Sequence, residues 1–70
     1  MLKIYYLLQN HIKKYRQLYK LRQSDLSEKL GVSRVTIIFI ESSKHEPSLG
    51  LAFKMARLFN CSIEELFDDK

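Results

Sequence analysis

The side chains that could do chemistry in this 70-residue sequence are few and far apart. The histidines, His11 and His45, lack a second ligand at metal-binding spacing, and Cys61 is the single cysteine. Catalysis needs a nucleophile beside a base, and a metal site needs clustered His, Cys or carboxylate ligands. The sequence has neither pattern, and no glycine-rich loop to hold phosphates. We therefore expect no enzyme, no cofactor, no metal and no small-molecule substrate.

Positive charge is concentrated in the first part of the chain. The formal net charge is +4, with eight basic against two acidic side chains in residues 1–40 and four against six in residues 41–70. Nucleic-acid-binding proteins concentrate positive charge on one side. The asymmetry therefore favours a polyanionic partner more than the net charge does.

Length and composition predict one small domain over residues 1–70. A chain this short buries only about 60% of its extended-chain surface, and one cysteine cannot form an internal disulfide, so a second subunit would help stability. No apolar run approaches the roughly 20 residues that span a bilayer. The apolar segment within the first eight residues is too short for a secretory signal. We expect a cytoplasmic protein without a membrane partner.

The spacing of apolar residues predicts an all-α domain of five helices. Apolar residues at intervals of three and four favour a first helix over about 3–20, although residues 1–9 could instead be a dimer arm or a short β segment. Gly31 and Asn60 are expected to adopt the left-handed conformation that ends a helix, and Ser33, Ser48 and Ser62 are expected N-cap residues. These signals place the other helices at about 23–30, 34–42, 49–59 and 63–67.

Two short helices joined by a glycine-containing turn predict a helix-turn-helix unit over about 23–42. Their facing apolar edges supply five anchors of the core: Leu26, Leu30, Val32, Ile37 and Ile40. The same reasoning adds Leu49, Phe53 and Leu66 to the predicted core.

The run QSDLSEKLGVSRVTI, residues 23–37, resembles the DNA-binding core of lambda-repressor-like (Cro/Xre-type) regulators. The resemblance extends over about residues 10–67. It implies a compact five-helix fold that binds double-stranded operator DNA, usually as a homodimer on two-fold symmetric sites. The expected function is a sequence-specific transcriptional regulator, a homodimeric repressor that reads a palindromic operator through the major groove.

The predicted third helix is the one that would enter the major groove. The side chains opposite Ile37 and Ile40, together with those at the helix start, are expected to contact DNA: Ser33, Arg34, Val35, Thr36, Ile38 and Phe39. Arg34 could bond guanine O6 and N7 or a phosphate, and Thr36 a phosphate or a base edge. Val35 could make only apolar contact, such as with a thymine methyl.

The resemblance implies further roles outside this helix. Gln23 matches a residue that contacts phosphate or base, and Ser43, Lys44 and His45 match the loop that holds the DNA backbone. Arg16 and Glu41 match a structural salt bridge between the first and third helices.

The sequence also departs from the family pattern. Val35 stands where a polar residue is usual, and Phe39 occupies an exposed position, so Ile38 and Phe39 could face DNA or a protein partner. The alternative function is therefore a protein-interaction module, such as an antitoxin subunit. Ser42 and Ser43 replace the common Asn-Gly, at a cost of about 1 kcal/mol.

Apolar residues near the C-terminus exceed what one five-helix core needs. The expected dimer interface is Phe59, Ile63, Leu66 and Phe67. A two-fold dimer through the last helix would place two recognition helices about 34 Å apart.

Overall fold

The computed structural model describes residues 9–68; residues 1–8 and 69–70 lie outside the described part. Within that range the helices are α1 (Ile12–Leu18), α2 (Gln23–Leu30), α3 (Arg34–Glu41), α4 (Leu49–Leu58) and α5 (Ile63–Leu66). Two short strands, β1 (Gln9–Asn10) and β2 (Phe67–Asp68), pair antiparallel. The predicted all-α, five-helix class is confirmed. None of these helices is long and apolar enough to cross a bilayer.

The first helix begins later than its apolar spacing predicts. Asn10 belongs to β1, where it pairs with Phe67, and its Oδ1 accepts the backbone N–H of Ile12 at 3.2 Å. His11 donates its backbone N–H to the carbonyl of Leu66 at 2.8 Å. Because these groups are bonded outside the helix, α1 begins at Ile12 and not near residue 3. The alternatives for residues 1–8 lie outside the described residues.

A serine precedes each of α3, α4 and α5 and caps it. Each serine Oγ accepts the backbone N–H three residues later, at 3.0–3.1 Å, and the three are Ser33, Ser48 and Ser62. Arg22 precedes α2, and there the carboxylate of Asp25 accepts the backbone N–H of Arg22 at 2.8 Å. This bond lets α2 begin at Gln23 without a serine or threonine cap.

The first four helices end in the same way. Each is followed by a residue of positive φ, namely Lys20 (59°), Gly31 (73°), Ser43 (62°) and Asn60 (53°). That residue and the next donate their N–H groups to carbonyls three and five residues earlier, which is a Schellman motif. The sequence predicts the stops at Gly31 and Asn60. Lys20 and Ser43 adopt the same conformation with a side chain that disfavours it.

The core lies where α1, α2, α3, α4 and α5 meet. Its buried residues are Ile12, Leu26, Leu30, Ile37, Ile40, Met55, Ala56, Phe59 and Leu66, with Val32 packed against them. The prediction is wrong for Leu49 and Phe53, which are 69% and 45% exposed. The buried stripe of α4 runs through Ala52 and Met55 instead, so these two residues lie to one side of it.

Candidate nucleic-acid interface

An ion pair fixes the third helix against the first. Arg16 donates from Nε to Oε2 of Glu41 at 2.7 Å and from Nη2 to Oε1 at 3.2 Å. The two side chains are 10% and 7% exposed, and Nη1 of Arg16 also donates to the carbonyl of Leu21 at 2.9 Å. The structure thus contains the ion pair that the resemblance implies. The guanidinium and carboxylate charges largely neutralise each other inside the fold, so Arg16 adds little to the electrostatic potential at the surface.

Gln23, at the start of α2, belongs to the same network. Its Nε2 donates to Oε1 of Glu41 at 3.2 Å, and the residue is half-buried. A primary amide carries two hydrogens, so one donor is left for a group outside the protein. This residue therefore connects the start of α2 with the end of α3.

Asn10 makes a second connection to the end of α3. Its Nδ2 donates to the backbone carbonyl of Ile40 at 2.9 Å, across 30 residues of sequence. One side chain thus joins β1, the start of α1 and the last turn of α3. Sequence reasoning missed this role, because an asparagine just before a helix signals only the local bond to the Ile12 N–H.

The outward side of α3 is mainly apolar. At about 100° per residue, Val35 lies opposite the buried Ile37 and Ile40. Val35 and Phe39 are 55% and 46% exposed, while Ile38 is half-buried. Of the predicted contact residues of this helix, Val35 and Phe39 therefore lie on its accessible side, with Ile38 beside them.

The polar side chains of α3 are mostly engaged. The Oγ atoms of Ser33 and Thr36 lie 2.9 Å apart, and Ser33 Oγ also accepts the N–H of Thr36. Glu41 is held by Arg16 and Gln23. Arg34 is exposed and has no side-chain hydrogen bond or ion pair within residues 9–68.

The segment after α3 holds the three residues that the resemblance assigns to the DNA backbone. Ser43, Lys44 and His45 are all exposed. Lys44 donates its backbone N–H to the carbonyl of Phe39 at 2.8 Å, which fixes the chain at the end of α3. The ammonium of Lys44 has no ion-pair partner in the described part of the chain.

An open groove between the starts of α2 and α3 is rich in arginine. It is lined by Arg16, Arg22, Gln23, Ser24 and Arg34. Arg22 was not among the predicted contact residues. Its side chain is 82% exposed and pairs with Asp25, whose pKa is lowered by hydrogen bonds from Arg22. The sequence signal that could have indicated this contact is a basic residue, Arg22, at the N-cap position of α2.

The predicted dimer surface is only partly on the outside. Phe59 and Leu66 are 1% and 0% exposed, and Tyr19 donates its hydroxyl to the carbonyl of Phe59 at 2.9 Å. These two side chains are buried in the core of a single protomer and cannot form a dimer interface. The predicted interface is therefore wrong for Phe59 and Leu66. Ile63 and Phe67 remain half-buried and line an apolar groove with Pro47 and Leu49.

The paired helices α2 and α3, with α3 exposed, define a helix-turn-helix domain. A helix-turn-helix family model, HTH_3, matches residues 12–66. An uncharacterized HTH-type transcriptional regulator of Methanocaldococcus jannaschii is 55% identical over 60 residues, 86% of this chain and 91% of that protein. Another, from Archaeoglobus fulgidus, is 47% identical over 60 residues, 86% of both chains. A solved structure of a candidate DNA-binding protein from Bacteroides fragilis has a TM-score of 0.78 at 31% identity, covering 87% of this chain and 98% of that one.

The chain therefore belongs to the helix-turn-helix family, of the Cro/Xre type that its sequence resembles.

Proposed function

We propose that this protein is a sequence-specific DNA-binding transcriptional regulator, a homodimeric repressor that inserts α3 into the major groove of a palindromic operator. The observation that carries the proposal is the fixation of α3 at its end by Arg16 and Asn10, while its outward side is left uncovered by the other residues of the range 9–68. A rigid, exposed helix of this length fits the major groove. Relatives described as HTH-type transcriptional regulators support the same role.

The side chains around α3 divide into two groups in this proposal. Arg34, exposed at the start of α3 and without a side-chain partner within residues 9–68, bonds a guanine edge, beside Ser33 and Thr36. The backbone phosphates are contacted from both ends of the site, by Gln23 and Arg22 at one end and by Ser43, Lys44 and His45 at the other. The groove that joins Arg22 to Arg34 supports placing one phosphate there.

The proposed dimer uses the apolar surface left at the C-terminal side. Ile63 and Phe67 form it together with Leu49, which is 69% exposed. Such a two-fold arrangement would present two copies of α3 about one DNA turn apart, roughly 34 Å. Ser43 and His45 line the same groove, so the DNA-contacting loop lies beside the proposed interface.

A second function is favoured by one observation. Val35 and Phe39 form an exposed apolar pair on a helix that usually carries polar readers. Such a pair could engage another polypeptide, as in an antitoxin subunit.

Selection of bound fragments from random double-stranded DNA, followed by sequencing, tests the proposal. We expect a palindrome whose half-sites lie about one helical turn apart. Binding to random DNA should also weaken steeply with salt, because phosphate contacts release counterions. Failure to enrich any sequence, together with no binding to random DNA at low ionic strength, would contradict the proposal and favour the polypeptide partner.

A further inference from the structure

The accessible side of α3 offers little hydrogen-bonding capacity. Thr36 and Ser33 bond to each other, and Glu41 is occupied by Arg16 and Gln23. Among the side chains of α3 itself, Arg34 is the polar group that has no hydrogen bond or ion pair within residues 9–68. Direct readout by hydrogen bonds from this helix therefore relies on Arg34 and on the one hydroxyl hydrogen that the Ser33–Thr36 pair leaves free.

The same side of α3 exposes a large apolar surface. Val35 and Phe39 are one turn apart on one side of the helix, with exposures of 55% and 46%, and Ile38 lies beside them. An aromatic ring left half in water is stabilised by covering it. The major groove presents one apolar group for such contact, the C5-methyl of thymine.

We propose that Val35 and Phe39 read thymine methyl groups, so that the half-site is defined by thymines beside a guanine bonded by Arg34. This inference rests on the proposed function. Charge favours DNA over a protein as the occupant of this side, because Arg34, Arg22 and Lys44 are exposed around it and, within residues 9–68, the only ion pair that any of them forms is Arg22 with Asp25. A phosphate backbone on both sides of the methyl groups complements that charge.

The spacing of the two side chains sets the spacing of the thymines. Four residues along α3 correspond to about 6 Å. Stacked bases are about 3.4 Å apart on one strand, so the two contacts fall about two base-pair steps from each other. The two thymines need not be on the same strand, since both strands expose their C5 positions in the major groove.

Replacement of thymine by uracil in the selected site tests the inference, because it removes the methyl group and leaves base pairing intact. Dissociation constants are measured at one salt concentration for each substitution. We expect about fourfold weaker binding for each contacted thymine, the effect of one buried methyl group. 5-Bromouracil, whose bromine is close to a methyl group in size, should restore affinity, and uracil outside the half-sites should have no effect.

Protein variants assign the effect to side chains. Phe39→Ala and Val35→Ala should each bind the thymine site more weakly and lose discrimination between thymine and uracil at one position. Leu18→Ala removes a side chain that is 68% exposed on α1 and should keep full discrimination. All three positions are exposed, so thermal unfolding should show a retained fold.

The outcomes separate the two proposals. Wild-type protein that binds the selected site equally well with thymine and with uracil overturns the methyl inference and leaves the regulator proposal intact. Protein that enriches no site and ignores random DNA at low salt overturns both. Discrimination that survives in both Phe39→Ala and Val35→Ala overturns the assignment to these side chains.

Discussion

Arg16 and Glu41 form a two-point ion pair, with Nε–Oε2 and Nη2–Oε1 distances of 2.7 and 3.2 Å, that joins α1 to the last residue of α3. Both side chains are almost fully removed from solvent. The pair does not face outward. Its effect is to hold the helix that carries Arg34, Val35 and Phe39 in one orientation.

Removing one partner of this pair should be strongly destabilising. Glu41→Gln leaves the guanidinium of Arg16 buried without a counter-charge, and we expect a loss of about 3–5 kcal/mol in the free energy of unfolding. Urea denaturation of Glu41→Gln against Glu28→Gln, an exposed carboxylate on α2, gives the comparison. Equal stability of the two variants would show that the pair contributes nothing.

Asn10→Ala should also destabilise the fold. It removes the bonds to the Ile12 N–H and to the Ile40 carbonyl, each worth about 0.5–1.5 kcal/mol. Gln17→Ala, at an exposed position of α1, is the control and should change stability by less than about 0.5 kcal/mol. The role of Asn10 would be refuted by thermal melts in which both variants shift alike.

Ser43→Gly should stabilise the protein. Ser43 has φ of 62°, a region that costs an L-residue roughly 1 kcal/mol and costs glycine nothing. Ser42→Gly is the matched control, because φ there is −90°, so glycine adds backbone freedom and also removes the hydrogen bond from Ser42 Oγ to the carbonyl of Phe39. Chemical denaturation should therefore move the two neighbouring variants in opposite directions, and a shift of both toward lower stability would disprove the account.

The Asp25 carboxylate should give the start of α2 a pH dependence. Hydrogen bonds from Arg22 lower its pKa in the folded protein, so its contribution is complete above the unfolded-state pKa of about 3.9 and is lost as pH falls through the folded value. We expect Asp25→Asn to be less stable than wild type near neutral pH and to converge with it in acid. Stability measured between about pH 7 and pH 2 checks this, and a constant difference throughout would contradict it.

Arg34 and Lys44 should have different effects on DNA binding. Arg34→Ala should weaken binding to the selected site by about 1–3 kcal/mol and relax specificity at one base pair. Lys44→Ala should weaken binding on all sequences alike and reduce the salt dependence. Titrations of both variants on specific and random DNA make the comparison, and equal losses on both for Arg34→Ala would assign it to the backbone.

Much of this fold is encoded in local signals. Ser33, Ser48 and Ser62 cap the helices that their sequence positions predict, and Gly31 adopts the expected left-handed conformation. These features depend on residues within one turn of each other, so the sequence contains them directly.

The errors arise from interactions between distant residues. Nothing near Asn10 reveals that it will pair with Phe67 and bond to Ile40. Apolar spacing in α4 could not distinguish the buried stripe from the neighbouring one that carries Leu49 and Phe53, because tertiary packing decides between them. The ring of Phe59 likewise packs against Tyr15 and Tyr19, at centroid distances of 5.6 and 5.5 Å, and both lie far away in the sequence.

The most direct test of the central claim is the ratio of two affinities, for the selected palindrome and for a shuffled duplex of the same composition, at one physiological salt concentration. A sequence-specific regulator reading DNA through α3 should bind the palindrome at least about 10³-fold more tightly. Equal affinity for the two duplexes would contradict the claim.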